Sequence, residues 1–155
     1  MTPATKQLKK HRISFEILQY QHDTNTSSFG LEAVEKLSLD AEQVFKTLVV
    51  CCDTDQLVVA IVPVNLKLNL KSLAKTLKVK KVKMADAKRV EASTGYVLGG
   101  VSPLGQKKRL STVIDASAEK FKHIYVSGGK RGLEIELSPN DLCEQCQAVF
   151  AHISN

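Results

Sequence analysis

The stretch KTLVVCCDTDQLVVAIVPV, residues 46–64, decides the fold. It contains two β-branched runs, residues 46–52 and 57–64, which are separated by the polar segment DTDQ. Two such runs joined by a short polar segment predict a β-hairpin. Both runs are apolar on both faces, which is typical of central strands covered on each side. We therefore expect this hairpin to lie in the middle of a sheet.

The flanking sequence predicts helices and further strands around the hairpin. Thr2-Pro3 and Ser138-Pro139 predict the starts of the first and last helices, since a capping hydroxyl precedes a proline. The first helix is expected to end near His11, and the last to include Val149, Phe150 and Ile153 among its apolar residues. Further strands are predicted at residues 14–21, 79–84, 112–116, 123–127 and 133–137. Helices are predicted at 31–37, from 69 or 71 to 77, and at 86–92, with one helical turn at 40–43. This mixture of hairpins and helices favours an α+β fold on a mixed sheet over a Rossmann fold.

The composition is typical of one globular domain. The chain has 155 residues, of which 43% are hydrophobic and 25% charged, and it contains no tryptophan. This length favours a single hydrophobic core, so we expect one domain over residues 1–155. No apolar run approaches the roughly 18–20 residues of a membrane span. The first residues lack the apolar region of a secretory signal. We therefore expect no membrane partner.

The charge is concentrated in one part of the chain. The net charge is +6, from 22 Lys+Arg and 16 Asp+Glu. Twelve basic and two acidic residues lie between Lys67 and Arg109, a local charge of +10, so the remainder carries −4. A basic block on a mildly acidic body indicates a polyanionic partner. The alternative is a solvated lysine face without a partner.

Four cysteines form two close pairs. Cys51 and Cys52 are adjacent within an apolar strand, where free cysteines behave as small core residues. Cys143 and Cys146 are spaced to share one face of a helix. A second CxxC or HxxxH that would complete a zinc site does not follow. We interpret these residues as packed thiols of a reducing cytoplasm rather than as a metal or redox site.

Two glycine-rich loops are candidates for framing a site. Seven of the eight glycines lie between Gly95 and Gly132, in STGYVLGGVSPLG and SGGKRG. Glycine allows close backbone approach, and exposed N–H groups of such loops can hold a phosphate or an oxyanion. The alternative is that both loops are structural turns. The sequence has neither GxxxxGK(S/T) nor a GxGxxG after a strand, so nucleotide hydrolysis is not supported.

Lys46 is the other unusual residue, because it opens one of the most apolar stretches of the chain. It is either a strand-end lysine whose head reaches water, or a partly desolvated ammonium that faces a pocket with a lowered pKa. The four histidines show no local catalytic signature, and neither GxSxG nor HExxH occurs. Any catalysis would therefore rest on positioning, a lysine and backbone dipoles.

Five motifs in order resemble the YbaK family of aminoacyl-tRNA deacylases. The motifs are VFKTL at 44–48, MAD at 84–86, STGY at 93–96, GGVSPLG at 99–105 and YVSGGKRG at 125–132. That family is related to the editing insertion domain of bacterial prolyl-tRNA synthetase, and the similarity spans almost the whole chain. The resemblance implies a compact single domain with a mixed β-sheet wrapped by short helices. It also implies a cytoplasmic enzyme without cofactor or metal, whose partners are tRNA and, transiently, prolyl-tRNA synthetase.

The resemblance also implies a set of site residues. Lys46 matches the lysine on which activity depends, and residues 99–103 match a GxxxP loop that lies against the aminoacyl ester. Backbone N–H groups of Gly99 and Gly100 are then candidate oxyanion donors. The implied substrate-binding residues are Tyr20, Phe29, Thr47, Ser102, Pro103, Ser127, Gly128 and Glu134. At position 134 relatives often carry aspartate.

The function implied by the resemblance is removal of cysteine from mischarged Cys-tRNA(Pro), and also from Cys-tRNA(Cys). In this branch the cysteine thiol attacks its own ester carbonyl and forms a cyclic thiolactone. The resemblance therefore implies ester cleavage by a hydrolase or, where the thiolactone forms, by a lyase. The alternatives are an Ala-tRNA(Pro) deacylase that uses an activated water, a tRNA-binding module without catalysis, and a zinc protein.

Overall fold

Five short α-helices and eight strands build the fold in the computed structural model, which describes residues 1–26 and 28–155. The helices have eight or nine residues each, and in this part of the chain no helix is long and apolar enough to cross a membrane. The elements are α1 Pro3–Lys10, β1 Glu16–Gln19, α2 Phe29–Leu37, β2 Phe45–Cys52, β3 Leu57–Pro63, α3 Leu70–Leu77, β4 Val82–Met84, α4 Ala87–Thr94, β5 Ser111–Asp115, β6 Ile124–Ser127, β7 Leu133–Leu137, α5 Pro139–Cys146 and β8 Val149–Ala151, with 3₁₀ turns at Ala41–Gln43 and Ala116–Lys120.

The strands form two sheets. The larger has the order β4-β2-β3-β5-β8; β2 pairs antiparallel with β4 and β3, whereas β5 pairs parallel with β3 and β8. The smaller sheet is antiparallel, with the order β1-β7-β6. A bridge between Val44 and Tyr125 joins the two sheets. The predicted α+β class with a mixed sheet is confirmed, and the division of the strands into two sheets is an additional finding.

The hairpin β2–β3 lies at the centre of the larger sheet, as predicted. Its register places Lys46 opposite Val62 and Cys51 opposite Leu57. Every residue of β3 is buried. On one face the sheet packs against α3, and on the other against α1, α4, α5 and the smaller sheet. Helices and strands thus cover both faces, which explains why both runs of the hairpin are apolar throughout.

The predicted helix starts are confirmed by side-chain caps. Thr2 Oγ1 accepts a hydrogen bond from Thr5 N at 3.3 Å. Ser138 Oγ accepts one from Asp141 N at 3.2 Å. Each cap satisfies a backbone N–H that has no partner within the helix.

The prediction that the last helix continues to Ile153 is wrong. Helix α5 ends at Cys146, because Gln147 adopts a left-handed conformation with φ of 51°. Residues Val149–Ala151 then form strand β8, which pairs parallel with β5. The apolar residues here serve a strand because a partner distant in sequence offers an unpaired edge.

Candidate active site

The candidate site is a cleft that lies where the first half of β2 faces the smaller sheet. Strand β4 pairs only with the second half of β2, so residues 45–48 border an opening. Helix α2 and the first glycine loop, residues 95–105, close its other sides. The cleft has a volume of about 360 Å³ and is lined by Tyr20, Ser28, Phe29, Gly30, Phe45, Lys46, Thr47, Leu48, Leu98, Gly99, Val101, Ser127, Lys130 and Glu134.

Most of the residues implied by the resemblance lie together around this cleft. Those that line it are Tyr20, Phe29, Lys46, Thr47, Gly99, Ser127 and Glu134. They come from α2, β2, the first glycine loop and the smaller sheet, and they span more than a hundred positions in sequence. The fold therefore gathers these side chains, although no local motif unites them.

The other four implied residues do not line the cleft in the described part of the chain. Ser102 is fully buried, and its Oγ accepts a hydrogen bond from Leu104 N. Pro103 lines a separate, smaller cavity, and the carbonyl of Gly128 accepts from the Thr2 hydroxyl. Gly100 N donates to the carbonyl of Val97 at 2.9 Å, so the proposed oxyanion donor is already engaged within its own turn. These residues shape and support the loops rather than face the opening.

Lys46 is partly buried at the edge of the cleft. Among the described residues no carboxylate lies within 4 Å of its ammonium group. Burial lowers the pKa of Lys46, and the positive charge of Lys67 lowers it further. An ammonium without a protein anion in a partly desolvated site favours binding of a negative or strongly polarised ligand oxygen. Of the two interpretations left open by the sequence, the structure supports the ammonium that faces a pocket.

Glu134 supplies a carboxyl group that is nearly neutral at physiological pH. Its side chain is 7% exposed, and burial raises its pKa to about 8. It lies on β7 opposite Ser127 of β6, so both side-chain positions border the same opening. Burial, followed by the charges of Glu134 and Glu32, raises the pKa of Tyr20 to about 12. The cleft therefore contains a phenol that stays protonated and a carboxyl group that titrates near neutrality.

Thr47 contributes a hydroxyl group that lacks a partner among the described residues. Its Oγ1 is buried, and the residue lines the cleft. An unsatisfied buried hydroxyl costs about 1–3 kcal/mol. A ligand would reach this atom only after the Thr47 side chain rotates, because Oγ1 is shielded from solvent.

Arg131 locks the first glycine loop to helix α2. Its Nε and Nη2 donate to the carbonyl of Leu98 at 3.0 and 2.6 Å, and its guanidinium lies 4.6 Å from the centre of the Phe29 ring. Gly99 has φ of +86°, and a Cβ there would lie 2.8 Å from Arg131 Nε. Sequence reasoning did not select Arg131, although its position within the GGKRG turn was the available signal.

The two glycine loops touch through their backbones. A Cβ on Gly100 would lie 2.9 Å from the Cα of Lys130, too close for any side chain without a backbone shift. Since the neighbouring Gly99 and Lys130 both line the cleft, this contact fixes one wall. Glycine therefore allows the backbones of the two loops to approach closely, as expected for loops that frame a site.

Helix α2 is anchored by a buried carboxylate. Glu32 is 5% exposed and accepts hydrogen bonds from His22 Nδ1 and Asp23 N, both at 2.7 Å. Burial alone would raise the pKa of Glu32, but these hydrogen bonds and the charges of His22 and Lys36 lower it. The hydrogen bonds of Glu32 with His22 and Asp23 therefore tie the segment after Tyr20 to helix α2, which carries Phe29.

The four cysteines lie outside the cleft lining and are packed as interpreted from sequence. Cys51 and Cys52 are buried in the core on opposite faces of the larger sheet. Cys143 Sγ donates to the carbonyl of Ala148, and Cys146 Sγ donates to that of Pro103. Burial raises the pKa of Cys146 to about 12. Cys146 is therefore a poor nucleophile.

The family model of the aminoacyl-tRNA editing domain matches residues 25–144, which include the strand of Lys46, both glycine loops and Glu134. The chain belongs to this family. Its members are editing domains that act on aminoacyl-tRNA, and this gives the coarse function of the chain. The resemblance inferred from the motifs is thereby confirmed.

Two curated relatives match most of the chain. EbsC of Enterococcus faecalis, described as a candidate Cys-tRNA(Pro)/Cys-tRNA(Cys) deacylase, is 37% identical over 154 residues, 99% of this chain and 93% of that protein. YwhH of Bacillus subtilis, which has no described function, is 28% identical over 88% of this chain and 89% of that protein.

Solved structures share the fold over the full length. A hypothetical protein superposes with a TM-score of 0.88 at 28% identity, covering 99% of both chains. A candidate trans-editing enzyme for prolyl-tRNA synthetase superposes with a TM-score of 0.84, covering 100% of this chain and 99% of the other. Its identity is 19%, so this second likeness concerns the fold alone.

Proposed function

We propose that this editing domain removes cysteine from Cys-tRNA(Pro) and Cys-tRNA(Cys), and that the thiol of the cysteine itself is the nucleophile. The observation that carries the proposal is the composition of the cleft. Its described lining has neither cysteine nor histidine, yet it has an ammonium without a carboxylate partner. Such a site suits a reaction whose nucleophile arrives with the substrate. The identity of 37% to EbsC supports the choice of cysteine.

The proposed reaction is an intramolecular transfer of the acyl group. The thiol sulfur attacks the ester carbonyl carbon, and a tetrahedral oxyanion forms. The bond from that carbon to the ribose oxygen then breaks, and the thiol proton passes to the ribose oxygen. The products are a four-membered thiolactone and tRNA with a free 3′ end. Holding sulfur and carbonyl in line can supply about 7–11 kcal/mol of the barrier, so positioning is the main task of the protein.

Lys46 provides the charge that holds the ester end of the substrate. Its ammonium stabilises negative charge at the carbonyl oxygen or at the adjacent ribose–phosphate end. Burial removes part of the hydration of this ammonium, which also lowers its pKa, so less water is lost when a ligand binds. This charge makes Lys46 the residue on which the rate should depend most.

Glu134 is suited to move the proton. A group with a pKa of about 8 can take up and return a proton near neutral pH. We assign Glu134 the transfer of the thiol proton to the ribose oxygen. Its burial in the cleft wall supports this role, since a solvated carboxylate would be too weak a base.

Selectivity follows from the chemistry of the substrate. Alanine and proline have no thiol, so their esters can bind without being cleaved.

We further propose that the enzyme acts in the cytoplasm as one domain over residues 1–155, with prolyl-tRNA synthetase as a transient partner. The candidate trans-editing enzyme for prolyl-tRNA synthetase has the same fold, and its name links that protein to the synthetase. This supports the synthetase as a partner here.

The test is a panel of cysteinyl-, seryl- and alanyl-tRNA(Pro) with identification of the released product. We expect rapid cleavage of the cysteinyl ester, a thiolactone product and slow cleavage of the seryl ester. Lys46→Ala should abolish cleavage with an unchanged circular dichroism spectrum, and Lys122→Ala, an exposed lysine outside the cleft, should be fully active. Free cysteine released directly, equal rates for serine, or cleavage of alanyl-tRNA would instead favour an activated water.

A further inference from the structure

Helix α3 carries a line of lysines on its outer face. Leu73 and Ala74 are buried against the larger sheet. Lys71 and Lys75 lie one turn apart on an exposed flank of the helix, and Lys78 follows as its C-terminal cap. Lys67 lies in the connection between β3 and helix α3. We call these four residues, Lys67, Lys71, Lys75 and Lys78, the α3 lysine stripe.

The stripe has no counter-charge in the described part of the protein. All four side chains are exposed, and none lies within 4 Å of a carboxylate. Like charges one turn apart destabilise a helix by about 0.2–0.5 kcal/mol per pair. Three more exposed lysines follow at positions 80, 81 and 83, on and before the edge strand β4. Since no ion pair within the described residues involves these lysines, their charge is available to a partner outside the chain.

The stripe begins near the cleft and leads away from it. Lys46 is opposite Val62 near the end of β3, and the chain from there enters α3. The helix then runs back along the sheet to β4, where Val82 pairs with Cys52 at the far end of β2. The charge of Lys67 lowers the pKa of Lys46, which places the start of the stripe close to the cleft. From Lys71 to Lys78 the stripe covers about 10 Å of helix axis.

We propose that the α3 lysine stripe binds the phosphates of the tRNA substrate where its 3′ strand and acceptor stem leave the cleft. This rests on the aminoacyl-tRNA activity proposed above. The ester occupies the cleft, so the rest of the RNA has to pass over a surface next to it. A line of lysines about 5–6 Å apart matches a polymer with a charge on every nucleotide. Lysines contact phosphates without reading bases, so the stripe supplies affinity rather than sequence preference.

The experiment measures binding of uncharged tRNA(Pro) to the triple variant Lys71→Gln, Lys75→Gln, Lys78→Gln at several salt concentrations. The matched control is Lys10→Gln, Lys120→Gln, Lys122→Gln, which removes the same charge from exposed lysines outside the stripe. We expect the stripe variant to raise the Kd by at least about tenfold and to reduce the slope of log Kd against log salt by about 2 to 3. The control should stay near the wild type.

A small substrate separates the stripe from the chemistry. The stripe variant should cleave the cysteinyl ester of adenosine at the wild-type rate, because this compound has no RNA beyond the ester. Equal loss of tRNA binding in both triple variants would overturn the proposal, since net charge alone would then explain binding. Normal tRNA binding with lost affinity for prolyl-tRNA synthetase would also overturn it and would assign the face to an acidic protein surface. Because uncharged tRNA is used, the result stands even if the wild type cleaves no cysteinyl ester.

Discussion

Replacing Glu134 by glutamine should stabilise the fold and remove much of its pH dependence. The pKa of Glu134 rises from 4.5 to about 8 on folding, because the side chain is 7% exposed. The folded state therefore binds more protons than the unfolded state between these pH values, and the free energy of unfolding falls as pH rises through this window. Burial of Glu134 lowers the free energy of unfolding by about 3 kcal/mol at pH 7, and this decrease approaches about 5 kcal/mol above pH 8.

Urea unfolding followed by circular dichroism at pH 5, 7 and 9 measures this effect. The stability difference between Glu134→Gln and the wild type should widen by about 4 kcal/mol from pH 5 to pH 9. Glu35→Gln, an exposed glutamate on α2, should follow the wild type at every pH. Parallel profiles for Glu134→Gln and the wild type would refute the buried neutral carboxyl. Glu134→Gln should also lose deacylase activity although it stabilises the fold, because glutamine cannot take up and return a proton.

Two further predictions concern the glycine loops. Gly100→Ala should destabilise the fold by about 1–3 kcal/mol, since its Cβ would lie 2.9 Å from the Cα of Lys130, and an unchanged urea midpoint would contradict this close approach. Arg131→Ala should loosen the loop from Phe29 and Leu98 and raise the KM for aminoacyl-tRNA several-fold with little change in the unfolding free energy. Arg131→Lys should not restore the KM, because an ammonium cannot both stack on the ring and donate two forked hydrogen bonds; full rescue would point to charge alone.

The elements that depend on local signals could be predicted from the sequence. The central hairpin follows from two apolar runs, and the helix starts at Thr2 and Ser138 follow from a capping hydroxyl before a proline. Strand β8 could not be predicted, because its apolar residues are equally compatible with a helix. Its identity depends on β5, a partner more than thirty residues earlier. The division into two sheets depends on contacts of the same long-range kind.

Only some residues of the candidate site could likewise be predicted from the sequence. Lys46 attracts attention by itself, as a charged residue in an apolar strand. Glu134 lies 88 positions later in an ordinary alternating strand, so only the resemblance to a known family indicated it. The roles of Arg131 and of the Gly100–Lys130 contact depend on how two loops meet. The spacing of residues along the sequence does not show how the two loops contact each other.

The placement of the four cysteines has a consequence for the product of the proposed reaction. A thiolactone is an activated thioester, and it can transfer its acyl group to any accessible thiolate. Cys51 and Cys52 are enclosed in the core, and burial raises the pKa of Cys52, Cys143 and Cys146. None of the four lines the cleft in the described part of the chain. An enzyme that releases the proposed thiolactone therefore exposes no thiol of its own in the described lining of the cleft to that product.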